Sequence, residues 1–160
     1  GITLRIQPDL PLVHGDRPRL IEVLQNLIDN AAKYMGDQTD PLIEIGQHGT
    51  DTERGDPIFF IKDNGIGIQP EHHERIFGLF NKLDPSSEGT GIGLALSKRL
   101  IDAMEGSIGA VSTAGEMPWP SLPKMRQQSA ARSHCAIVLP AACGCAAMHR
   151  MPRRRSSRRA

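Results

Sequence analysis

Two short glycine-rich runs contain the residue types that a nucleotide-binding loop needs. They are Asp63-Asn64-Gly65-Ile66-Gly67-Ile68 and Gly89-Thr90-Gly91-Ile92-Gly93-Leu94, about two dozen residues apart. The second run opens a predicted helix, where free backbone N–H groups favour phosphate and glycines allow a close approach. The order and spacing of the two runs predict a nucleotide cradle.

Asp63 has the chemistry to recognise an amino group. It follows a predicted buried strand, and an ionised Asp only accepts hydrogen bonds, so it suits a donor such as the exocyclic N6 of adenine. Gly65 and Gly67 remove side chains where the backbone must approach the base. Asp-Asn-Gly is also a hairpin-turn signal, and that alternative stays open for the first run taken alone.

Asn26 and Asn30 lie four residues apart on a predicted helix, and therefore on one face. Their carbonyl oxygens suit one hard cation, because Mg²⁺ in nucleotide sites takes only one or two protein oxygens. Lys33 and Tyr34, in the next turn, would supply a phosphate-pairing ammonium and an aromatic surface. Exposed polar residues opposite an apolar face are the alternative.

Composition divides the 160-residue chain into two unlike parts. Residues 1–116 hold 10 Lys and Arg against 18 Asp and Glu, whereas residues 117–160 hold 9 Lys and Arg and no acid. All three cysteines lie in the basic part, so the acidic part has no disulfide framework. No apolar run reaches the roughly 20 residues that span a bilayer. We expect a cytoplasmic domain, excised from a longer protein because it begins at Gly1.

Apolar periodicity and turn residues predict the elements that hold these side chains. The first helix has Asp16 as its N-cap and an apolar face formed by Leu20, Leu24, Leu27, Ile28 and Ala31. We predict half-buried or buried strands at Ile2–Gln7, Leu42–Gly46, Ile58–Lys62 and Ser107–Ser112, and helices at about Asp16–Met35, Pro70–Arg75 and Gly91–Met104. Phe77–Glu88 has the composition of a mobile loop.

Four segments in sequence resemble one family. They are NLIDNAAKY (Asn26–Tyr34), DNGIGI (Asp63–Ile68), ERIFGLF (Glu74–Phe80) and GTGIGL (Gly89–Leu94). They look like the N box, first glycine box, F box and second glycine box of the ATP-binding catalytic domain of sensor histidine kinases, relatives of gyrase, heat-shock chaperone and mismatch-repair ATPases. The resemblance covers about residues 1–116.

The resemblance implies the fold. It is an α+β, two-layer α/β sandwich of the Bergerat type, with a mixed, mostly antiparallel sheet and about three helices on one face. ATP would bind between the helices, under a mobile lid at roughly Phe77–Thr90.

The resemblance also implies roles for individual residues. Asn30 is the Mg²⁺ ligand with Asn26 in support, and Asp63 reads adenine. Lys33 and Tyr34 contact phosphate and the base or ribose. The remaining cofactor-binding positions are Gly65, Gly67 and Ile68 in the base pocket, Thr90, Gly91, Ile92, Gly93 and Leu94 at the phosphates, and Lys82 in the lid.

One position favours phosphoryl transfer over hydrolysis. Hydrolysing relatives carry a Glu one turn before the Mg²⁺ ligand, as the base that activates water, and here that residue is Asn26, which takes no proton at neutral pH. The acceptor would be a histidine on separate dimerisation helices, because no His of this chain has the phosphoacceptor pattern. We therefore assign Asn26, Asn30 and Lys33 to catalysis.

The basic part departs from the family pattern. Met117-Pro118-Trp119-Pro120 stands where the family continues at once into its last strand. Either Cys135–Leu139 is that strand after an insertion, or residues 117–160 are a frame-shifted or disordered tail. We expect no nucleic-acid binding, because no aromatic residues interleave its arginines. Zinc ligation by Cys135, Cys143, Cys145 and His149 is a weak alternative, because they form no Cys-x-x-Cys pair.

Together these residues predict a histidine-kinase catalytic domain that uses ATP and Mg²⁺. The expected partners are the His-bearing dimerisation helices of the same protein and a response regulator, with a monomeric fragment and a homodimeric full-length kinase. The alternatives are an autonomous ATPase or Ser-directed kinase of the same superfamily, and an adenine-nucleotide-binding module without phosphotransfer.

Overall fold

The fold is a five-stranded mixed sheet with two α-helices, seen in a computed structural model that describes residues 1–52, 54–82, 90–112 and 133–139. The strands are β1 (Thr3–Ile6), β2 (Leu42–Thr50), β3 (Pro57–Asp63), β4 (Ser107–Ser112) and β5 (Ser133–Val138). Their order is β1-β2-β3-β5-β4; β1 and β2 are parallel, and the other pairs are antiparallel. The helices are α1 (Arg17–Lys33) and α2 (Gly93–Asp102).

The core lies between the sheet and the two helices. α1 contributes Val23, Leu27 and Ala31, and α2 contributes Ile101, which has no exposed surface. The sheet side of the core consists of Ile43, Ile61, Ile108 and Ile137, all at most 5% exposed. This two-layer α+β sandwich is the predicted fold class, and it leaves the C-terminal half of α1 and the start of α2 side by side above β3.

The first helix begins where the sequence predicts, but the side chains that it buries differ from those predicted. Asp16 caps it, because its Oδ1 accepts a hydrogen bond from the Arg19 amide at 3.1 Å, and the helix ends at Lys33 instead of Met35. Leu24 was expected in the core and is 39% exposed, whereas Val23 is 1% exposed. Both residues fit an apolar i, i+4 pattern, and only contact with the sheet selects Val23.

Strand β1 is exposed along its whole length, which contradicts the expectation of a half-buried strand. It is an edge strand that pairs only with β2, and its apolar side chains Leu4 and Ile6 are 50% and 59% exposed. Alternation of apolar and polar residues predicts a strand correctly, but burial also requires a second layer over that strand.

The second and third predicted helices differ from expectation. α2 begins at Gly93 instead of Gly91, because Gly91 has a left-handed φ of +69° that an α-helix does not accommodate. The predicted helix Pro70–Arg75 is instead a pair of 3₁₀ turns, Pro70–His72 and Arg75–Phe77. The described residues therefore contain two α-helices rather than about three, and neither has the length and apolar character needed to cross a membrane.

Strand β5 comes from beyond residue 116 and lies inside the sheet, next to the edge strand β4. It pairs with β3 on one side and β4 on the other, with Cys135 opposite Ile61 and Ser133 opposite Asp63. The expectations for the rest of the basic part, including Met117–Pro120, Cys143, Cys145 and His149, concern residues outside those that the structure describes.

Candidate functional site

Most of the predicted site residues line one cavity of about 590 Å³. Its walls come from the second half of α1, the end of β3 and the loop after it, the 3₁₀ region, and the start of α2. The predicted site residues that line it are Asn26, Asn30, Lys33, Tyr34, Asp63, Gly67, Ile68, Lys82, Thr90, Gly91, Gly93 and Leu94. Residues far apart in sequence thus meet around one space large enough for a small-molecule ligand.

Two predicted residues, Gly65 and Ile92, do not line the cavity. Gly65 is buried under the end of α1: a Cβ there would collide with the Tyr34 carbonyl oxygen and lie 3.1 Å from the Met35 Cα. The Ile66 amide donates to the same Tyr34 oxygen at 3.0 Å. Gly65 therefore lets the first glycine run dock against α1, and its contribution to the cavity is indirect.

Asp63 forms a turn, which the sequence left open as an alternative, and it also lines the cavity. Its Oδ1 accepts a hydrogen bond from the Gly65 amide at 2.9 Å, which closes an Asx turn. The neighbouring Asn64 is purely structural: its Oδ1 accepts from the Leu42 amide at 2.9 Å and its Nδ2 donates to the Asp40 carbonyl at 2.8 Å. These contacts fix the loop against β2, so the Asp63 carboxylate is held in place at the cavity.

Asn26 connects the two helices at the cavity. Its Nδ2 donates to the Gly93 carbonyl at 3.5 Å and to the Ser97 hydroxyl at 3.4 Å. Asn30, one turn further along α1, lines the same wall and is half-buried. The spacing of four residues therefore does bring both residues to the cavity side of α1.

Two lysines line the cavity, together with the carboxylates Asp29 and Asp63. The Lys33 ammonium lies 5.0 Å from the centroid of the Tyr34 ring, within the range of a cation–π contact. Lys82 lines the cavity near Gly91, where a Cβ would come within 3.1 Å of its Cγ. Anionic groups of a ligand would therefore be attracted to the end of the cavity formed by Lys82 and the start of α2.

Phe80, within the predicted lid Phe77–Thr90, meets Gly91, the residue that follows this lid, beside the cavity. The Phe80 amide donates to the Gly91 carbonyl at 3.1 Å, and Phe80 itself has a left-handed φ of +60° and is 73% exposed. Residues 83–89, the centre of the predicted lid, lie outside the described part of the chain. The hydrogen bond fixes where the lid segment leaves and rejoins the fold.

Sequence reasoning missed several residues of the cavity wall. They are Leu27, Asp29, Ala31, Ile61, Ile66, Ile76, Asn81 and Cys135. Ile61 had a readable signal, because it stands two residues before Asp63 on the same strand and so faces the same side. Cys135 had none, because its position depends on β5 pairing with β3.

Cys135 is a neutral thiol in this wall. Burial, together with the nearby Asp63 carboxylate, raises its pKa to about 12. The pKa lies well above the ordinary value of 9.0, so the thiol is protonated at neutral pH. It contributes to an uncharged part of the cavity next to Asp63, suited to a flat, weakly polar group.

We expect Cys135 to react slowly with iodoacetamide, because the thiolate is the nucleophile. In a Cys143→Ser, Cys145→Ser background, alkylation at pH 8 should be at least about tenfold slower than for a peptide thiol and should rise steeply with pH above 9. Mass spectrometry of the modified peptide measures the rate. Alkylation as fast as the peptide control would contradict the raised pKa.

The sequence that forms this cavity matches a known family. Residues 15–134 match the family model described as histidine kinase-, DNA gyrase B- and HSP90-like ATPase. The chain belongs to this family. It is 45% identical over 115 residues to the methanogenesis regulatory histidine kinase FilI of Methanothrix harundinacea (strain 6Ac), an alignment that covers 72% of the chain and 13% of FilI.

Solved structures agree with the fold. The mycobacterial sensor histidine kinase MprB superposes with a TM-score of 0.63 at 24% identity, covering 87% of this chain and 80% of MprB. Full-length ShkA in complex with AMPPNP superposes with a TM-score of 0.60 at 27% identity, covering 87% of this chain and 25% of ShkA. The chain is an ATP-binding catalytic domain of the histidine-kinase type, and it spans a small part of the FilI and ShkA kinases.

Proposed function

We propose that this domain binds Mg-ATP in the 590 Å³ cavity and transfers the γ-phosphate to a histidine on a separate helical domain. The observation that carries the proposal is that one space is lined by Asn30, Asp63, Lys82 and three residues at the start of α2, Gly91, Gly93 and Leu94. Each supplies a group that a different part of ATP requires: an oxygen for a cation, an acceptor for the base, and a cation and a helix start for phosphates.

The adenine fits the end of the cavity formed by Asp63, Ile61 and Cys135. The Asp63 carboxylate accepts from an amino group, and its own position is fixed by the Gly65 amide. Ile61 and the neutral Cys135 thiol supply weakly polar contacts for the ring. Guanine would present a carbonyl oxygen instead of an amino group to Asp63, which leaves two acceptors facing each other.

The phosphates fit the end formed by α2 and Lys82. The first turn of α2 has N–H groups without intrahelical partners, and Gly91 and Gly93 keep side chains away from them. Lys82 adds a positive charge at that end. Phosphoryl transfer depends mainly on positioning and on neutralising charge, and this end of the cavity provides both.

The donor set fits Mg²⁺ held largely by the nucleotide. The described residues include no group of three or more His, Cys, Asp or Glu that would enclose a metal ion. Asn30, supported by Asn26, offers the one or two protein oxygens that Mg²⁺ uses beside phosphate and water. When bound, Mg²⁺ would neutralise charge on the phosphates.

Asn26 stands where an acidic residue would activate water, so this position of the wall supplies no base. Its amide donates to Gly93 and Ser97 and takes no proton at neutral pH. The proposed acceptor is therefore a histidine on the dimerisation helices of a homodimeric, cytoplasmic full-length kinase, with a response regulator downstream. Steady hydrolysis by this chain alone would favour an autonomous ATPase, and binding without transfer would favour a nucleotide-binding module.

Titration with ATP in the presence and absence of Mg²⁺ tests the proposal, followed by phosphorylation of an added His-bearing helical domain. We expect Asn30→Ala to bind ATP without a contribution from Mg²⁺, while the parent binds at least about tenfold more tightly with Mg²⁺. Asp102→Ala, an exposed change on α2, is the control and should behave as the parent. Absence of ATP binding by the parent would overturn the proposed function.

A further inference from the structure

Ser97 is unusual among the described residues because it is polar and has no exposed surface. It lies in the middle of α2, where the neighbouring buried residues Ala95 and Ile101 are apolar. Burying a hydroxyl without a hydrogen-bond partner is costly, so its partner indicates what the residue does. That partner is Asn26 on α1, whose Nδ2 lies 3.4 Å from the Ser97 Oγ.

The contacts of Asn26 with α2 determine which of its two side-chain amide atoms, Nδ2 or Oδ1, faces that helix. The Gly93 carbonyl, 3.5 Å from Asn26 Nδ2, can only accept a hydrogen bond, so the amide must present its NH₂ group to α2. The Ser97 hydroxyl accepts from the same NH₂ group. Because Nδ2 donates to α2, the carbonyl oxygen Oδ1 of Asn26 can accept hydrogen bonds or bind a cation elsewhere.

Gly93 keeps the space around that oxygen open. A Cβ at Gly93 would lie 3.3 Å from Asn26 Oδ1, and both residues line the cavity. The arrangement therefore has two parts: a nitrogen that donates to Ser97 and Gly93, and an oxygen beside Gly93, a residue of the cavity wall that has no side chain.

We propose that Ser97 is a positioning residue that orients Asn26 Oδ1 toward the nucleotide-bound cation. The inference rests on the proposed function, since it assigns to Asn26 a share in the Mg²⁺ dependence of ATP binding. It adds a residue outside the four sequence segments, on the side of α2 that faces α1. Ser97 acts only through Asn26 and touches neither nucleotide nor metal.

The test is a double-mutant cycle on the ratio of AMPPNP affinities with and without Mg²⁺. We expect Ser97→Ala to lower this ratio by roughly tenfold, as changes to groups that orient a metal ligand do, and to leave the affinity without Mg²⁺ unchanged. Asn26→Ala should lower the ratio at least as much. Adding Ser97→Ala to Asn26→Ala should have no further effect, because the residue through which Ser97 acts is gone.

A second readout needs neither nucleotide nor metal. The side-chain NH₂ resonances of Asn26 in a ¹⁵N-labelled protein should move toward those of a solvent-exposed Asn in Ser97→Ala. Lys98→Ala is the control and should leave both readouts at their parent values; Lys98 is one residue away and half-buried, and its ion pair with Asp102 is 3.6 Å long.

Three results would overturn the role of Ser97. They are an unchanged affinity ratio in Ser97→Ala, an equal loss of affinity with and without Mg²⁺, and additive effects of the two substitutions. Absence of AMPPNP binding by the parent would instead overturn the proposed function, so the two failures are distinguishable.

Discussion

Asp63→Ala is expected to weaken ATP binding by about 100-fold and to remove the preference for ATP over GTP. The substitution removes an ionised acceptor from the cavity wall, and hydrogen bonds to charged groups contribute about 1.5–3 kcal/mol. It also leaves the Gly65 amide without its 2.9 Å partner. Competition binding with ATP and GTP, at fixed Mg²⁺, measures both effects.

Asp63→Asn separates the two roles of this residue. Asn retains an oxygen that can accept from the Gly65 amide, so the turn is kept, but it replaces a carboxylate oxygen by an NH₂ group. We expect Asp63→Asn to keep the thermal stability of the parent and to lose base discrimination. A preference for ATP over GTP that persists in both Asp63→Ala and Asp63→Asn would contradict the placement of adenine at Asp63.

Gly65→Ala is expected to lower the free energy of unfolding by about 3 kcal/mol, the upper end of the range for overpacking a buried site. A Cβ at Gly65 meets the Tyr34 carbonyl oxygen, the Asp63 Oδ1 at 2.9 Å and the Met35 Cα at 3.1 Å, and two of these are backbone atoms that cannot rotate away. The end of α1 would have to shift away from the loop. Urea unfolding followed by circular dichroism measures the change.

Gly55→Ala is the matched control for this prediction. Gly55 has a left-handed φ of +72°, but a Cβ there meets nothing within 4 Å. We therefore expect a loss of about 1 kcal/mol, from backbone strain alone. A Gly65→Ala variant no less stable than Gly55→Ala would show that the contact with Tyr34 relaxes at little cost.

The sequence predicted the parts of the site that depend on local spacing. Asn26 and Asn30 face one side because a helix repeats every 3.6 residues, whereas α2 begins at Gly93, two residues later than predicted. The neighbour of Gly65 within the fold was not predicted: a Cβ there would meet the backbone of Tyr34, 31 residues earlier in the sequence. Local conformational preference indicates where a glycine is needed but not what approaches it.

Burial of individual side chains depended on tertiary contacts that the sequence does not encode locally. Val23 and Leu24 are adjacent and both apolar, and the packing of α1 on the sheet buries only Val23. Leu4 and Ile6 alternate as a half-buried strand should, yet β1 at the sheet edge leaves them exposed. Cys135 enters the cavity wall only through its register with Ile61, 74 residues earlier.

The position of β5 between β3 and β4 has a consequence for folding during synthesis. Strands β3 and β4 do not pair with each other, because β5 lies between them, and β5 is the last of the described strands in chain order. A nascent chain that has reached only residue 116 therefore has two unpaired strand edges facing a gap. The sheet closes once Ser133–Val138 has left the ribosome, so we expect stalled or truncated chains to be held by chaperones until that strand emerges.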